Sequence, residues 1–164
     1  MFSQALSIQI LSGGQTGVDR AALDQGLDSG FKIGGYCPKG RRAEDGPIDR
    51  KYPLIETTGG YVGRTQRNVL ESPATIIIAK GSLEGGSALT QRFCQEANKP
   101  HLVIDANLLT PAEGAKLLLA FYLETRVHAF NFAGPRASGW PQGYHYTKQL
   151  IKHWVTLLGM LPSP

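Results

Sequence analysis

Cysteine is scarce in this chain. Cys37 and Cys94 are the only two in 164 residues, and they form neither a metal-ligand spacing nor a disulfide framework. A zinc module and a disulfide-stapled secreted scaffold are therefore excluded, and a reduced, cytoplasmic protein is expected. Long hydrophobic runs are also missing. The longest, residues 117–123, is far too short to span a bilayer, and the amino terminus lacks the charged-then-apolar profile of a secretory signal. No membrane partner is expected. Basic residues do not cluster: no Lys/Arg run is longer than Arg41-Arg42, and the net charge of +4 is spread along the chain. A nucleic-acid surface needs a basic stripe, so no nucleic-acid partner is expected either. The four histidines, His101, His128, His145 and His153, are scattered, and none sits at metal spacing from a cysteine or carboxylate. No internal repeat or low-complexity linker divides the chain. Residues 1–164 read as a single domain, long enough to bury an ordinary core.

Glycine, by contrast, is abundant. Most of the twenty glycines lie in four polar loops, each following an apolar, strand-like run. Ile8-Gln9-Ile10-Leu11 leads into Ser12-Gly13-Gly14-Gln15-Thr16-Gly17-Val18-Asp19-Arg20. Phe31-Lys32-Ile33 leads into a loop that runs to Gly46 and carries Lys39, Arg41, Arg42, Glu44 and Asp45. Thr75-Ile76-Ile77-Ile78-Ala79 leads into Lys80-Gly81-Ser82-Leu83-Glu84-Gly85-Gly86-Ser87. Val127-His128-Ala129-Phe130 leads into a loop containing Gly134-Pro135-Arg136-Ala137-Ser138. Strand-like and helix-like segments alternate from end to end. This pattern predicts an α/β fold, a Rossmann-like three-layer sandwich with a mostly parallel central sheet. Strands are expected near 7–11, 31–36, 75–79, 101–105 and 127–131, with a short extra one at Leu54-Ile55. Helices are expected after the first loop, over 61–72, over 88–98, from Thr110-Pro111-Ala112-Glu113 with its three start cues, and along the apolar stripe Leu150, Ile151, Trp154, Leu157 and Leu158.

In an open parallel sheet the loops that follow the strands share one edge, and ligands bind there. Glycines let backbone amides approach a ligand, and a helix starting just after such a loop favours an anion. Gly13-Gly14-Gln15-Thr16-Gly17 is not the dinucleotide fingerprint, and no Gly-Lys-Ser/Thr follows it to make a P-loop. NAD and ATP in their usual modes are thereby disfavoured. The stretch still has what a phosphate nest needs, with a tight strand-to-helix turn and no ligand as the alternative; Asp19 either favours the helix dipole there or, with Arg20, orders the loop. Lys39, Arg41 and Arg42 could clamp a phosphate or other oxyanion while Glu44 and Asp45 hold the arginines or accept from a heterocycle. The same segment also reads as a solvated surface loop. Arg67 and Asn68 on the 61–72 helix, Gly85, Gly86 and Ser87, and Arg136 with Ser138 complete the candidates, with surface pairing as the alternative for the arginines. The ligand class is a small anion, phosphorylated or otherwise oxyanionic.

Ser12 to Arg20, Pro38 to Gly46, Thr65-Gln66-Arg67-Asn68, Gly85-Gly86-Ser87-Ala88-Leu89-Thr90 and Ala133 to Ser138 together resemble the molybdenum carrier family. The likeness runs from about Ile8 to the carboxyl end. It implies that the molybdenum cofactor (molybdopterin), a pterin dithiolene with a terminal phosphate, is bound, with molybdate as a further possibility. It also implies Thr90 as a contact, a homo-oligomer, and exchange with enzymes that make or accept the cofactor. The family is similar to a broader group that includes the Lonely-guy phosphoribohydrolases, often labelled lysine-decarboxylase-like. That branch has P-G-G-x-G-T-x-E-E, with a catalytic glutamate. Here Gly85-Gly86 is followed by Ser87-Ala88-Leu89-Thr90-Gln91-Arg92, so no catalytic residue is assigned and a carrier is expected. A nucleotide-binding or phosphoribohydrolase-like enzyme, recruiting Glu44 or Asp45, is the alternative. Residues 117–123 are apolar all round a helix, which also suggests a self-association surface.

Overall fold

The computed structural model describes residues 7–162. The expected alternation resolves into seven strands and five helices among these residues. They are β1 (Gln9–Leu11), α1 (Val18–Asp28), β2 (Lys32–Gly34), β3 (Tyr36–Pro38), β4 (Ile55–Thr57), α2 (Gly60–Glu71), β5 (Ala74–Ala79), α3 (Gly85–Glu96), β6 (His101–Asp105), α4 (Pro111–Thr125), β7 (Ala129–Ala133) and α5 (Gly143–Gly159). The main sheet has the order β2-β1-β7-β5-β6, and every neighbouring pair is parallel. Helices α1, α4 and α5 pack together as one layer, and α2 packs on α3 as the other. The architecture is the expected Rossmann-like α/β sandwich. β5 is buried along its whole length, as a strand covered on both faces must be, and its run of isoleucines follows from that.

Local chemistry sets the element ends. Pro111 starts α4 where its missing N–H is harmless, and Thr110 and Glu113 form the reciprocal capping box: the Glu113 N–H donates to the Thr110 hydroxyl at 3.2 Å and the Thr110 N–H to the Glu113 carboxylate at 3.1 Å. Arg126 ends α4 in the left-handed conformation, φ 57°. The strand that follows begins at Ala129, two residues later than expected. The segment expected as one strand over 31–36 is two. Gly35 divides it with φ 129°, and a Cβ there would run into the backbone of Ser12. The chain thereby passes hard against the first loop, leaves the main sheet, and pairs as β3 with β4. The short strand expected at Leu54-Ile55 is this β4, shifted to Ile55–Thr57. α3 begins at Gly85 rather than 88, because Gly85 takes φ 50° and the amides of Ser87 and Ala88 both donate to the Glu84 carbonyl.

The core is centred on Trp154 of α5. Its ring meets Phe130 edge-on at 5.6 Å, Phe31 at 6.0 Å, and Tyr122 and Phe132 at 6.4 Å each. These rings come from α4, from the central strand β7 and from the entry to the edge strand β2, so one side chain ties α5 to all three. Trp154→Ala should cost about 3–5 kcal/mol of stability, read as a lower urea midpoint with little change in slope. A loss below about 1 kcal/mol would show that the aromatic cluster is not the centre of the core.

Candidate functional site

β1, β7 and β5 are neighbours and run parallel, so their carboxyl ends open on one edge of the sheet. A cavity of about 880 Å3 lies there, within the range of small-molecule sites. The first loop supplies Gly13, Gln15 and Asp19, α2 supplies Tyr61, Arg64 and Asn68, and the β5–α3 loop supplies Lys80, Glu84, Gly85, Gly86 and Ser87. The segment after β7 adds Arg136 and Trp140 beside Phe132. The two helices that point their amino ends here, α2 and α3, carry no side-chain cap. Apart from the Ser87 amide, which donates to the Glu84 carbonyl, their first amides are left to solvent or to a ligand, and the helix dipoles favour an anion.

Asp19 and Arg64 form the most buried charged pair of the wall. Arg64 Nη1 donates to Asp19 Oδ2 at 3.1 Å, with side chains 11% and 8% exposed. The Nε of Arg64 is buried and has no hydrogen-bond partner among the described residues. Gly13 explains how the guanidinium fits: a Cβ at residue 13 would occupy the space that Arg64 fills. Burial pushes the Asp19 carboxyl up to about 6, against the opposing pull of Arg64, the Gln15 and Gly13 amides and Arg20. Asn68, one helical turn beyond Arg64, is buried and bridges to β3: it donates to the Tyr36 carbonyl at 2.9 Å and accepts from the Tyr36 amide at 2.8 Å. The Thr90 hydroxyl donates to the Gly86 carbonyl at 2.8 Å, which braces the turn that opens α3.

Of the residues named from sequence, Gly13, Gln15, Asn68, Gly85, Gly86, Ser87, Thr90 and Arg136 meet in this cavity. Others stand outside it, in structural roles. Arg41 is buried, and its guanidinium donates to the carbonyls of Ile48, Asp49, Tyr52 and Leu54 at 2.7–3.2 Å. Such a side chain holds its own loop and is not turned toward the cavity. Arg20 donates to the Gly14 carbonyl at 3.0 Å and pairs with Asp45 at 2.9 Å. Glu44 accepts from the Ser138 hydroxyl at 2.6 Å, from the Ser138 amide at 3.1 Å and from the Thr16 hydroxyl. Those hydroxyls hold the Glu44 carboxyl below the usual carboxylate range, as Arg20 does for Asp45. Gly17 packs its backbone on Pro135 and Ala137. Arg67 faces Glu71 at 3.2 Å and lies over the Tyr36 ring. Lys39 and Arg42 are exposed and do not line the cavity. The charged loop therefore fastens the site from behind rather than forming its wall.

Sequence reasoning passed over Asp19 as a cavity acid, and over Arg64, Tyr61, Lys80 and Trp140. Helical spacing held the signal for Arg64. It lies four residues before Asn68 and neighbours it on the helix surface, whereas Arg67 is turned to Glu71 and the Tyr36 ring. Among the described residues, no group of three His, Cys, Asp or Glu could hold a metal ion, and no helix is long and apolar enough to cross a membrane.

A parallel α/β sandwich with a cationic cavity at the carboxyl edge defines the class of protein. The chain belongs to the circularly permutated YpsA SLOG family, whose model matches residues 10–155. It is also similar to a solved structure, the "Putative molybdenum carrier protein" from Syntrophus aciditrophicus SB, with 42% identity over 90% of this chain and 95% of that one and a TM-score of 0.88. No curated protein matches.

Proposed function

We propose that this protein binds and carries the molybdenum cofactor, or a closely similar phosphorylated cargo, in the cavity at the carboxyl edge of the sheet. The observation that carries this reading is the Arg64 guanidinium, 11% exposed and set in the wall of a space of about 880 Å3 at the sheet edge. A cation this little exposed to water attracts an anion placed beside it more strongly than a surface arginine does. The uncapped starts of α2 and α3 suit a terminal phosphate. Tyr61, 42% exposed on the cavity wall, offers an aromatic surface that suits the flat face of a pterin. Molybdate is a smaller ligand of the same charge class. The name of the Syntrophus protein supports the choice of cargo. In this reading the protein is cytoplasmic and exchanges its cargo with enzymes that make or accept the cofactor.

The charges should not contribute equally. Arg64 is nearly buried, whereas the Arg136 side chain is 56% exposed and already faces Glu44 at 3.9 Å. Arg64→Ala should weaken molybdopterin binding by about 1.5–3 kcal/mol. Arg136→Ala should cost less than about 1 kcal/mol, because solvent screens it. Titration of purified molybdopterin against both variants checks this. Unchanged affinity in Arg64→Ala would remove the basis of the proposal.

A second reading is favoured by Asp19. A buried carboxyl pushed up to about 6 on a cavity wall is the kind of group that general acid–base chemistry uses. Glu44 and Asp45, the acids a hydrolase was expected to recruit, do not line the cavity. Incubation with nucleoside monophosphates, with free base followed by chromatography, separates the readings. Base release above background that is lost in Asp19→Asn would make the protein a phosphoribohydrolase-like enzyme. Ligand binding without base release would leave it a carrier.

We also propose a homo-oligomer. α4 buries Gly114, Ala115, Leu118 and Tyr122 but leaves Leu117 and Leu123 41% and 50% exposed. Light scattering at micromolar concentration should give more than the monomer mass of 17.8 kDa; the monomer mass itself would refute association.

A further inference from the structure

Asp19 and Arg64 face each other across two separate elements. Asp19 sits in the first turn of α1 and Arg64 in the second turn of α2, and both line the cavity. With Asp19 ionised the pair is neutral. An incoming anion then meets a cation whose charge is already balanced by a carboxylate that is itself 8% exposed and has little water to retreat into. With Asp19 protonated, Arg64 presents a net positive charge to the same space. We propose that Asp19 and Arg64 form a proton-linked anion switch, in which the cavity takes up one proton on Asp19 with each anion that binds Arg64 and gives up both together. This rests on the reading of the cavity as an anion site and adds to it the condition under which the cargo is held or let go.

The surroundings of Asp19 suit that role. The loop of residues 12–17 offers it only backbone amides, from Gln15 and Gly13, which favour the carboxylate but carry no titrating proton. α2 offers Arg64. α1 itself offers Arg20, whose guanidinium is engaged by Asp45 at 2.9 Å. Across the cavity stand Lys80, the solvent-exposed Glu84 and Arg136, and no histidine lines it among the described residues. Burial lifts the Asp19 carboxyl to about 6 in the empty cavity, and an anion placed beside it raises it further by like-charge repulsion. Linkage makes the effect reciprocal: whatever the proton does for anion affinity, the anion does for proton affinity.

Sulfate is a suitable probe, because its charge is constant across the range of interest. If sulfate binds only the protonated form, the competent fraction for a carboxyl near 6 makes binding about twentyfold tighter at pH 5.5 than at pH 7.5. Asp19→Asn keeps the shape and an acceptor oxygen but cannot ionise. Its affinity should stay near the wild-type value at pH 5.5 across the whole range, and any slope left in it reports histidines elsewhere. Calorimetry of the wild-type protein in two buffers of different ionisation heat should count close to one proton taken up per sulfate at pH 7. This count does not depend on the variant folding. Sulfate binding with equal affinity at both pH values and no proton uptake would overturn the switch and leave the anion cavity standing. An undiminished slope in Asp19→Asn would also overturn it. Absence of sulfate binding at pH 5.5 would overturn the anion cavity and the switch together.

Discussion

The placement of β7 between β1 and β5 is the constraint on which the rest of the molecule depends. The last described strand in sequence order fills the middle of the sheet, and all three strands run the same way. Their following loops therefore have to leave from one edge, side by side. β1 turns outward to β2 and β5 turns outward to β6, so the connections diverge on either side of β7 and leave a crevice above it. Asn131 and Phe132, within β7, form part of its floor. The site is thus a product of topology first and of side-chain chemistry second.

The second constraint is how the long excursion between β3 and β4 is kept in place. Arg41 supplies the core of that segment, binding four carbonyls in a place where regular secondary structure is absent. Tyr52 extends the attachment to α1 and α5: Asp24 accepts from the Tyr52 and Tyr144 hydroxyls at 2.5 Å each. Glu44 then joins the excursion to the segment after β7 through Ser138. Hydrogen bonds from a buried cation are worth more than exposed ion pairs. Arg41 is therefore a larger contributor to order here than the exposed contacts of Glu44 and Asp45. The density of charge in this stretch reflects the need to stabilise an irregular backbone.

Much of the fold was legible in the sequence because its signals are local. The isoleucines of β5, the capping box at Thr110 and the stripe along α5 each specify their element without outside help. The division at Gly35 was not legible, since nothing near it reveals that the Ser12 backbone lies against it. The candidate site was legible in outline only. Glycine-rich turns at strand ends identified Gly13, Gly85 and Gly86, because that geometry is imposed by neighbours in the chain. The direction of an arginine side chain is not. Arg41, Arg64 and Arg67 are equally basic on paper. What separates them is whether the guanidinium meets carbonyls, a cavity or solvent, and that depends on residues remote in sequence.

The contact between Gly13 and Arg64 carries a consequence for how such a chain can change over generations. A single methyl group at residue 13 would claim the volume of the guanidinium. Alanine there would make the long Arg64 side chain swing out of its place, and the little-exposed cation beside Asp19 would be lost with it. The constraint runs one way: residue 64 can shorten while glycine stays at 13, but residue 13 cannot gain a side chain while the arginine keeps its place. An arginine held in this pose therefore keeps a glycine in a different element.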